Sequence, residues 1–83
     1  MNMASEKVDP LSAIPAYAQL ALIVRKQIES GQLEVDRPIP SETTLCQEYG
    51  VSRGTARRAV EMLRDHGLIV TVQGRGSYVK ARK

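Results

Sequence analysis

The chain has 83 residues, a hydrophobic content of 42%, a formal net charge of +3 and one cysteine. This length predicts one small domain around a single core. No apolar run reaches the roughly 18 residues of a membrane span, and the first residues lack the apolar centre of a signal peptide. A single cysteine excludes a disulfide framework and fits a reducing compartment. The sequence therefore predicts a folded cytoplasmic protein.

Charge is divided unevenly along the chain. Residues 1–50 contain four basic and seven acidic side chains, whereas residues 51–83 contain eight basic and two acidic ones. A basic half of a small domain favours a polyanionic partner, although a solvated charged surface gives the same count. Position along the predicted elements has to decide between these two interpretations.

The first predicted helix begins at Pro15 and ends at Gly31, residue types typical of helix starts and stops. Its apolar residues recur at helical spacing on one face: Tyr17, Leu20, Ala21, Val24 and Ile28. Leu22 and Ile23 fall outside that face. They either contact a second copy of the chain or pack beneath residues 1–13, which are predicted to form a flexible arm.

Two further helices follow, separated by a short glycine-containing turn. Residues 33–40 carry two prolines, which predict turn and extended backbone. Ser41 is expected to cap the second helix, with Leu45 and Tyr49 facing the core, and Gly50 to end it.

Ser52 is expected to cap the third helix, and Gly67 to end it. One side of this helix is apolar, at Ala56, Ala59, Val60 and Leu63. Two helices joined by so short a turn are typical of a helix-turn-helix.

The hydrophobic period changes from 3.6 to 2 after Leu68. IVTV (69–72) and SYVK (77–80) predict two strands, joined by Gln73, Gly74, Arg75 and Gly76. Three helices followed by this hairpin predict an α+β fold, the winged helix-turn-helix, over residues 14–80 with a tail at 81–83. No internal repeat is present.

The third helix carries a cationic face opposite its apolar face. Arg53, Arg57 and Arg64 fall within about 40° of one another at 100° per residue. The free N–H groups at a helix N-terminus attract phosphate, and a guanidinium matches the two acceptors of guanine in the major groove. Thr55 and Ser52 are short donors, and Gly54 allows close approach of the backbone. The alternative is a solvated helix surface on which Ser52 is only a cap.

The hairpin tip has two interpretations that are compatible. Glycine on both sides of Arg75 suits a tight turn that requires positive φ. An arginine at such a tip also suits insertion into a narrow minor groove.

These motifs together resemble the GntR family of bacterial transcription regulators. The resemblance covers about residues 14–79 through PAYAQL, IPSETTL, YGVSRGTARRAVEMLRDHGLI and QGRGSYV, and looks most like the histidine-utilisation-repressor branch. It implies that the third helix enters the major groove and the hairpin, or wing, reaches the minor groove. The implied DNA contacts are Ser52, Arg53, Gly54, Thr55 and Arg57, more weakly Arg58, and in the wing Gln73, Gly74, Arg75 and Gly76.

The chain departs from the family pattern at two points. Family members usually have arginine where this chain has Thr43, so a contact there is weakened, unless the hydroxyl of Thr43 or Thr44 reaches a phosphate instead. Family members usually continue into an effector-binding domain, whereas this sequence ends soon after the wing, so it is expected to be either an excised DNA-binding domain or a naturally short protein. The resemblance implies a homodimer on a palindromic double-stranded operator, most often acting as a repressor.

Other classes of function find little support. One histidine and one cysteine do not provide the ligands of a zinc site, so neither a metal nor a cofactor is expected, and no enzyme. A protein-interaction winged helix and a nucleic-acid-binding domain of low specificity remain as alternatives. Single-strand RNA binding by base stacking is disfavoured because the chain has no Phe or Trp.

Overall fold

The computed structural model describes residues 6–81 of the chain. Residues 1–5 of the predicted arm and residues 82–83 of the predicted tail lie outside this range. Three helices are followed by two strands: α1 (Ala16–Ser30), α2 (Glu42–Tyr49), α3 (Arg53–Asp65), β1 (Ile69–Val72) and β2 (Gly76–Val79). This order confirms the predicted winged helix-turn-helix.

Serine side chains start both helices of the helix-turn-helix, as the sequence predicts. The Ser41 Oγ accepts a hydrogen bond from the Thr44 N–H at 3.1 Å, and the Ser52 Oγ accepts one from the Thr55 N–H at 3.1 Å. Gly50 lies between the two helices with a φ of 66°, in the left-handed region that favours glycine. The turn is therefore fixed by one glycine and one capping serine.

The end of α3 is closed by the pair of hydrogen bonds of a Schellman motif. The Gly67 N–H donates to the Arg64 carbonyl and the Leu68 N–H donates to the Leu63 carbonyl, both at 3.0 Å. Gly67 has a φ of 77°. The predicted stop at Gly67 is confirmed, and the chain turns directly from α3 into β1.

One hydrophobic core joins all five elements and the segment before α2. Leu20 and Val24 of α1 and Ala56 and Ala59 of α3 are 0% exposed. The remaining core residues come from all parts of the fold: Ala21, Ile28, Ile39, Leu45, Val60, Leu63, Ile69 and Val79. The predicted apolar faces of the three helices pack here, except for Tyr17, which is half-buried and lies outside this core.

The wing is an antiparallel pair with a short tip. Ile69 pairs with Val79 at its buried base, and Val72 pairs with Gly76 at its outer end. Strand β2 runs over 76–79 rather than the predicted 77–80, because Gly76 already belongs to the ladder and Lys80 lies beyond it.

A backbone segment before α2 pairs with the other edge of β2. The Val79 N–H donates to the Arg37 carbonyl at 3.0 Å, and the Ile39 N–H donates to the Ser77 carbonyl at 2.9 Å. The sequence predicted extended backbone here but not its partner. This pairing attaches the wing to the body of the domain on the side away from β1.

The two apolar residues outside the core face of α1 have different surroundings. Leu22 is 50% exposed, whereas Ile23 is only 8% exposed. Ile23 as a contact for a second copy is therefore wrong, because its side chain is already packed inside the domain. Leu22 stays available to a partner.

The described part of the predicted arm is attached to α1. The Gln19 amide accepts a hydrogen bond from the Asp9 N–H at 2.8 Å and donates to the Asp9 carbonyl at 3.0 Å and to the Ile14 carbonyl at 2.8 Å.

Within residues 6–81, no helix combines the length and apolar character that a bilayer crossing requires.

Candidate DNA-binding interface

The cationic face of α3 is open to solvent along the side opposite the core. Arg53, Gly54 and Arg57 are exposed, while Ala56 and Ala59 on the other side are buried. The packing of the apolar side against α1 and α2 fixes which way the arginines face. The helix thus presents its N-terminal turn and its guanidinium groups together.

The short hydroxyls at the start of α3 are engaged with each other. Besides capping the Thr55 N–H, the Ser52 Oγ is hydrogen-bonded to the Thr55 Oγ1 at 3.0 Å. Such a bond uses one donor and leaves lone pairs and one hydroxyl proton for an external group. Their role as DNA contacts stays a prediction, beside a structural role as a cap.

Gly54 has no internal reason to be glycine. Apart from its neighbours in the helix backbone, the nearest atom to a Cβ at position 54 among residues 6–81 would be the Ser52 Oγ at 4.0 Å, and the φ of Gly54 is not positive. Glycine is a weaker helix former than alanine by about 1 kcal/mol in a helix interior, which is an upper bound for the second residue of α3. Gly54 lowers the stability of the helix and is not required by packing. This combination favours close approach of a binding partner to the backbone at Gly54.

Arg57 has an internal partner. Its Nε lies 3.8 Å from the Oε1 of Glu42, the first residue of α2; the Arg57 side chain is 61% exposed and the Glu42 side chain 37%. An exposed pair at this distance contributes little stability. Arg57 can therefore exchange this carboxylate for a phosphate or a base edge at small cost.

The threonines predicted to replace the missing arginine lie at the start of α2. Thr43 is exposed and lines the groove between α2, α3 and the wing. Thr44 is exposed as well, and its Oγ1 is hydrogen-bonded to the Ser41 Oγ at 3.1 Å. Of the two, Thr43 is the one that lines the groove.

The wing tip is exposed at all four predicted positions, Gln73, Gly74, Arg75 and Gly76. The two glycines have φ values of 82° and 116°, and the Arg75 N–H closes the turn onto the Val72 carbonyl at 2.9 Å. Glycine thus makes the turn that holds Arg75 outward.

An open groove of about 370 Å³ brings the helix and the wing together. Arg53 and Arg64 of α3 and Arg75 of the wing tip line it, together with Ser41, Glu42 and Thr43 at the start of α2. Three guanidinium groups along one concavity form a positive surface suited to a phosphate backbone. The sequence places Arg64 on the cationic face, but Arg64 was not among the predicted DNA contacts. Its angular position around the helix, close to Arg53 and Arg57, could have indicated it.

Arg58 points to a different part of the molecule. Its guanidinium carbon lies 4.0 Å from the centroid of the Tyr17 ring of α1. A cation over a ring face is attracted by the ring quadrupole. The structure therefore gives Arg58 an internal role between α1 and α3, and its predicted DNA contact stays the weakest of the set.

The part of the chain that the structure describes contains no group of side chains suited to bind a metal ion. No group of three or more His, Cys, Asp or Glu side chains comes together among residues 6–81. Cys46 is half-buried in α2 beside the core.

A cationic helix with a free N-terminal turn, set beside a hairpin with a cationic tip, defines a winged helix-turn-helix of the nucleic-acid-binding class. The chain belongs to the family described as "Bacterial regulatory proteins, gntR family", whose pattern matches residues 16–79. Members of this family are regulators rather than enzymes, which agrees with the expectation from the sequence.

Two curated relatives illustrate the similarity. The HTH-type transcriptional repressor NagR of Bacillus subtilis is 37% identical over 76 residues, which are 92% of this chain and 31% of that protein. The histidine utilization repressor of Pseudomonas putida is 38% identical over 69 residues, 83% of this chain and 28% of that protein. The chain thus spans about a third of the length of the curated relatives it matches.

Solved structures give the same result for the fold. The DNA-binding domain of AraR in complex with operator ORX1 superposes with a TM-score of 0.78 at 41% identity, covering 86% of this chain and 88% of that one. YtrA from Sulfolobus acidocaldarius, a GntR-family transcription factor, gives a TM-score of 0.84 at 35% identity, covering 94% and 82%.

Proposed function

We propose that this domain binds double-stranded operator DNA in a sequence-specific manner, with α3 in the major groove and the wing at the adjacent minor groove. The observation that carries the proposal is the single groove lined by Arg53 of α3 and Arg75 of the wing. An arginine on each side of one concavity can engage a duplex in two successive grooves. The similar AraR DNA-binding domain has been solved in complex with operator ORX1, which supports operator DNA as the partner.

The side chains divide between base reading and positioning. Arg53 and Arg57 read base edges, because an exposed guanidinium can make the bidentate contact to guanine. Ser52, Thr55, Thr43 and the free N–H groups of the first turn of α3 contact phosphate and fix the register. Arg75 lies at the minor groove, with Gln73, Gly74 and Gly76 shaping its approach.

Repression by occlusion is the mode of regulation that such a domain can produce by binding alone. The domain covers promoter DNA, and this requires no catalytic group. Such a regulator works in the cytoplasm, where the bacterial chromosome lies. The two curated relatives described above are both named as repressors.

Two copies are required for an operator of useful length. A single DNA-binding module buries only about 600–1,000 Å². A homodimer on a palindrome gains affinity because the second copy binds at high effective concentration. Leu22, half-exposed on α1 and away from the cationic face, is the residue we assign to contact between the copies.

Selection of bound duplexes from a random pool tests the function. We expect enrichment of a two-fold symmetric sequence whose half-sites contain guanine at the positions read by α3. Parallel selection with the Arg53→Ala and Arg57→Ala double variant provides the control and should lose that enrichment. Recovery of no preferred sequence by the unmodified protein would instead indicate a low-specificity or protein-interaction domain.

A further inference from the structure

We propose that Arg64 is a positioning residue that locks the wing to the recognition helix and so fixes the distance between Arg53 and Arg75. The inference rests on the proposed DNA-binding function, and it assigns a task to a side chain at the far end of α3 from the predicted contacts. Its basis is a chain of side-chain hydrogen bonds that crosses from the helix into both strands of the wing.

Arg64 lies in the last turn of α3, and its Nε donates a hydrogen bond to the Thr71 Oγ1 at 3.0 Å. The Thr71 Oγ1 is in turn hydrogen-bonded to the Ser77 Oγ at 3.1 Å. Thr71 and Ser77 are direct partners in the ladder between β1 and β2. The Arg64 guanidinium is therefore connected to β1 directly and to β2 through the Thr71 hydroxyl, at one pair of the ladder.

The outer half of the wing has little packing to hold it against α3. Burial ends at the base of the hairpin, where Ile69 and Val79 are each 1% exposed. Between them, residues 70–76 are all exposed. Short two-stranded hairpins are marginal without packing. The backbone bond from Ile39 to Ser77 holds the β2 side, and Arg64 holds the β1 side.

The charges around the groove indicate why the hydrogen bond from Arg64 to Thr71 is needed. Arg64 and Arg75 line the same groove as Arg53, so three like charges face one concavity. Like charges disfavour close approach of the wing to α3 when no phosphate lies between them. A charge-assisted hydrogen bond is stronger than a neutral one, and here it opposes that repulsion. Arg64 thus keeps the groove at one width before DNA arrives.

The alternative is that Arg64 is only a phosphate contact. Its terminal amino groups make no hydrogen bond to any residue among 6–81, so they are free to meet a phosphate. Thr71→Val separates the two roles, because valine keeps the branched shape and strand preference of threonine but removes the hydroxyl that Arg64 holds. A phosphate contact by Arg64 does not require that hydroxyl.

Two measurements on Arg64→Ala and Thr71→Val test the proposal. In the free domain, backbone ¹⁵N relaxation should show added fast motion at residues 73–76 in both variants. On the selected operator, each variant should bind on the order of tenfold more weakly, and adding Arg75→Ala to either should cost much less than it does in the unmodified protein. Lys26→Ala, which removes an exposed cation of α1, is the matched control and should change neither readout.

A rigid wing in both variants would overturn the proposal, as would mobility in Arg64→Ala alone. A loss of affinity confined to Arg64→Ala, with a salt slope lower by about one, would identify a phosphate contact instead. The relaxation measurement is made on the free domain and requires no DNA. A failure of the proposed function, seen as equal affinity of the unmodified protein for selected and scrambled duplexes, is therefore distinguishable from a failure of this inference.

Discussion

Side chains at the start of α3 differ in how strongly the fold already uses them. Ser52 and Thr55 are hydrogen-bonded to each other, and Arg57 lies near Glu42. The Arg53 side chain makes neither a hydrogen bond nor an ion pair with any residue among 6–81, yet it lines the groove. A side chain that contributes nothing to folding and faces the binding surface is the one whose removal reports on recognition alone.

Gly54 provides a prediction with opposite signs for stability and binding. Gly54→Ala should raise the free energy of unfolding by up to about 1 kcal/mol, because the φ of residue 54 is not positive and the added Cβ meets no atom of the domain within 3.4 Å. The same Cβ should weaken operator binding if the backbone approaches DNA there. Thermal denaturation and a binding titration measure the two effects, and a variant that is more stable but binds as before would refute close approach.

Arg58 should affect stability more than DNA binding. Its guanidinium stacks on Tyr17 at 4.0 Å, and exposed cation–π pairs contribute about 0.5–1 kcal/mol. Arg58→Ala should lower the free energy of unfolding by about that amount in denaturant titration. Arg58→Lys keeps the charge for comparison. A large loss of operator affinity with unchanged stability would restore Arg58 as a DNA contact.

At the scale of elements, local signals predicted most of the fold. Capping serines, Gly50 and Gly67 act on backbone groups within a few residues, so their effect can be read from the sequence. The change of period after Leu68 likewise predicted the wing. Of the predicted contacts in α3 and the wing tip, Arg53, Arg75 and Gly76 line the one groove between these elements.

Features that depend on contacts distant in sequence could not be predicted. The pairing of residues 37–39 with β2 joins segments about forty residues apart. The burial of Ile23 depends on which other segments cover that flank of α1. The stack of Arg58 on Tyr17 and the bond from Arg64 to Thr71 depend on how elements pack. Periodicity within one helix contains no information on any of these.

The wing gives a prediction at the element scale. Arg75→Ala should lower operator affinity and reduce the slope of log affinity against log salt by about one, if Arg75 replaces a counterion at a phosphate. If Arg75 reads the width of the minor groove, the loss should instead vary with the A·T content of the flanking steps. Titrations over a salt series with two flanking sequences measure both. An affinity that is constant across them would leave residues 74–76 as a structural turn only.

At the scale of the whole molecule, the cationic groove and the exposed Leu22 belong to different surfaces. Leu22 of α1 lines a mostly apolar depression of about 160 Å³ together with Met62 and Leu68, and Arg25 and His66 also line it. We expect this chain to be a monomer or a weak dimer in free solution that becomes a cooperative dimer on a two-fold symmetric operator.

Leu22→Glu should remove that cooperativity while leaving binding to one half-site intact, because the substitution places a charge on the apolar surface without touching the groove. Sedimentation with and without a palindromic duplex measures the assembly, and Glu29→Ala on the same helix serves as a control. Tight one-to-one binding of the unmodified protein to an isolated half-site would argue against a dimer.

The central claim is that the arginine face of α3 reads DNA sequence, and its most direct test is the ratio of affinities for the selected operator and a scrambled duplex at one salt concentration. Arg53→Ala should lower operator affinity by roughly ten- to a hundredfold, the loss of one bidentate base contact. Affinity for the scrambled duplex should fall far less, and the melting temperature should stay nearly unchanged. The ratio should therefore collapse toward one. An operator-to-scrambled ratio in Arg53→Ala equal to that of the unmodified protein would contradict the claim.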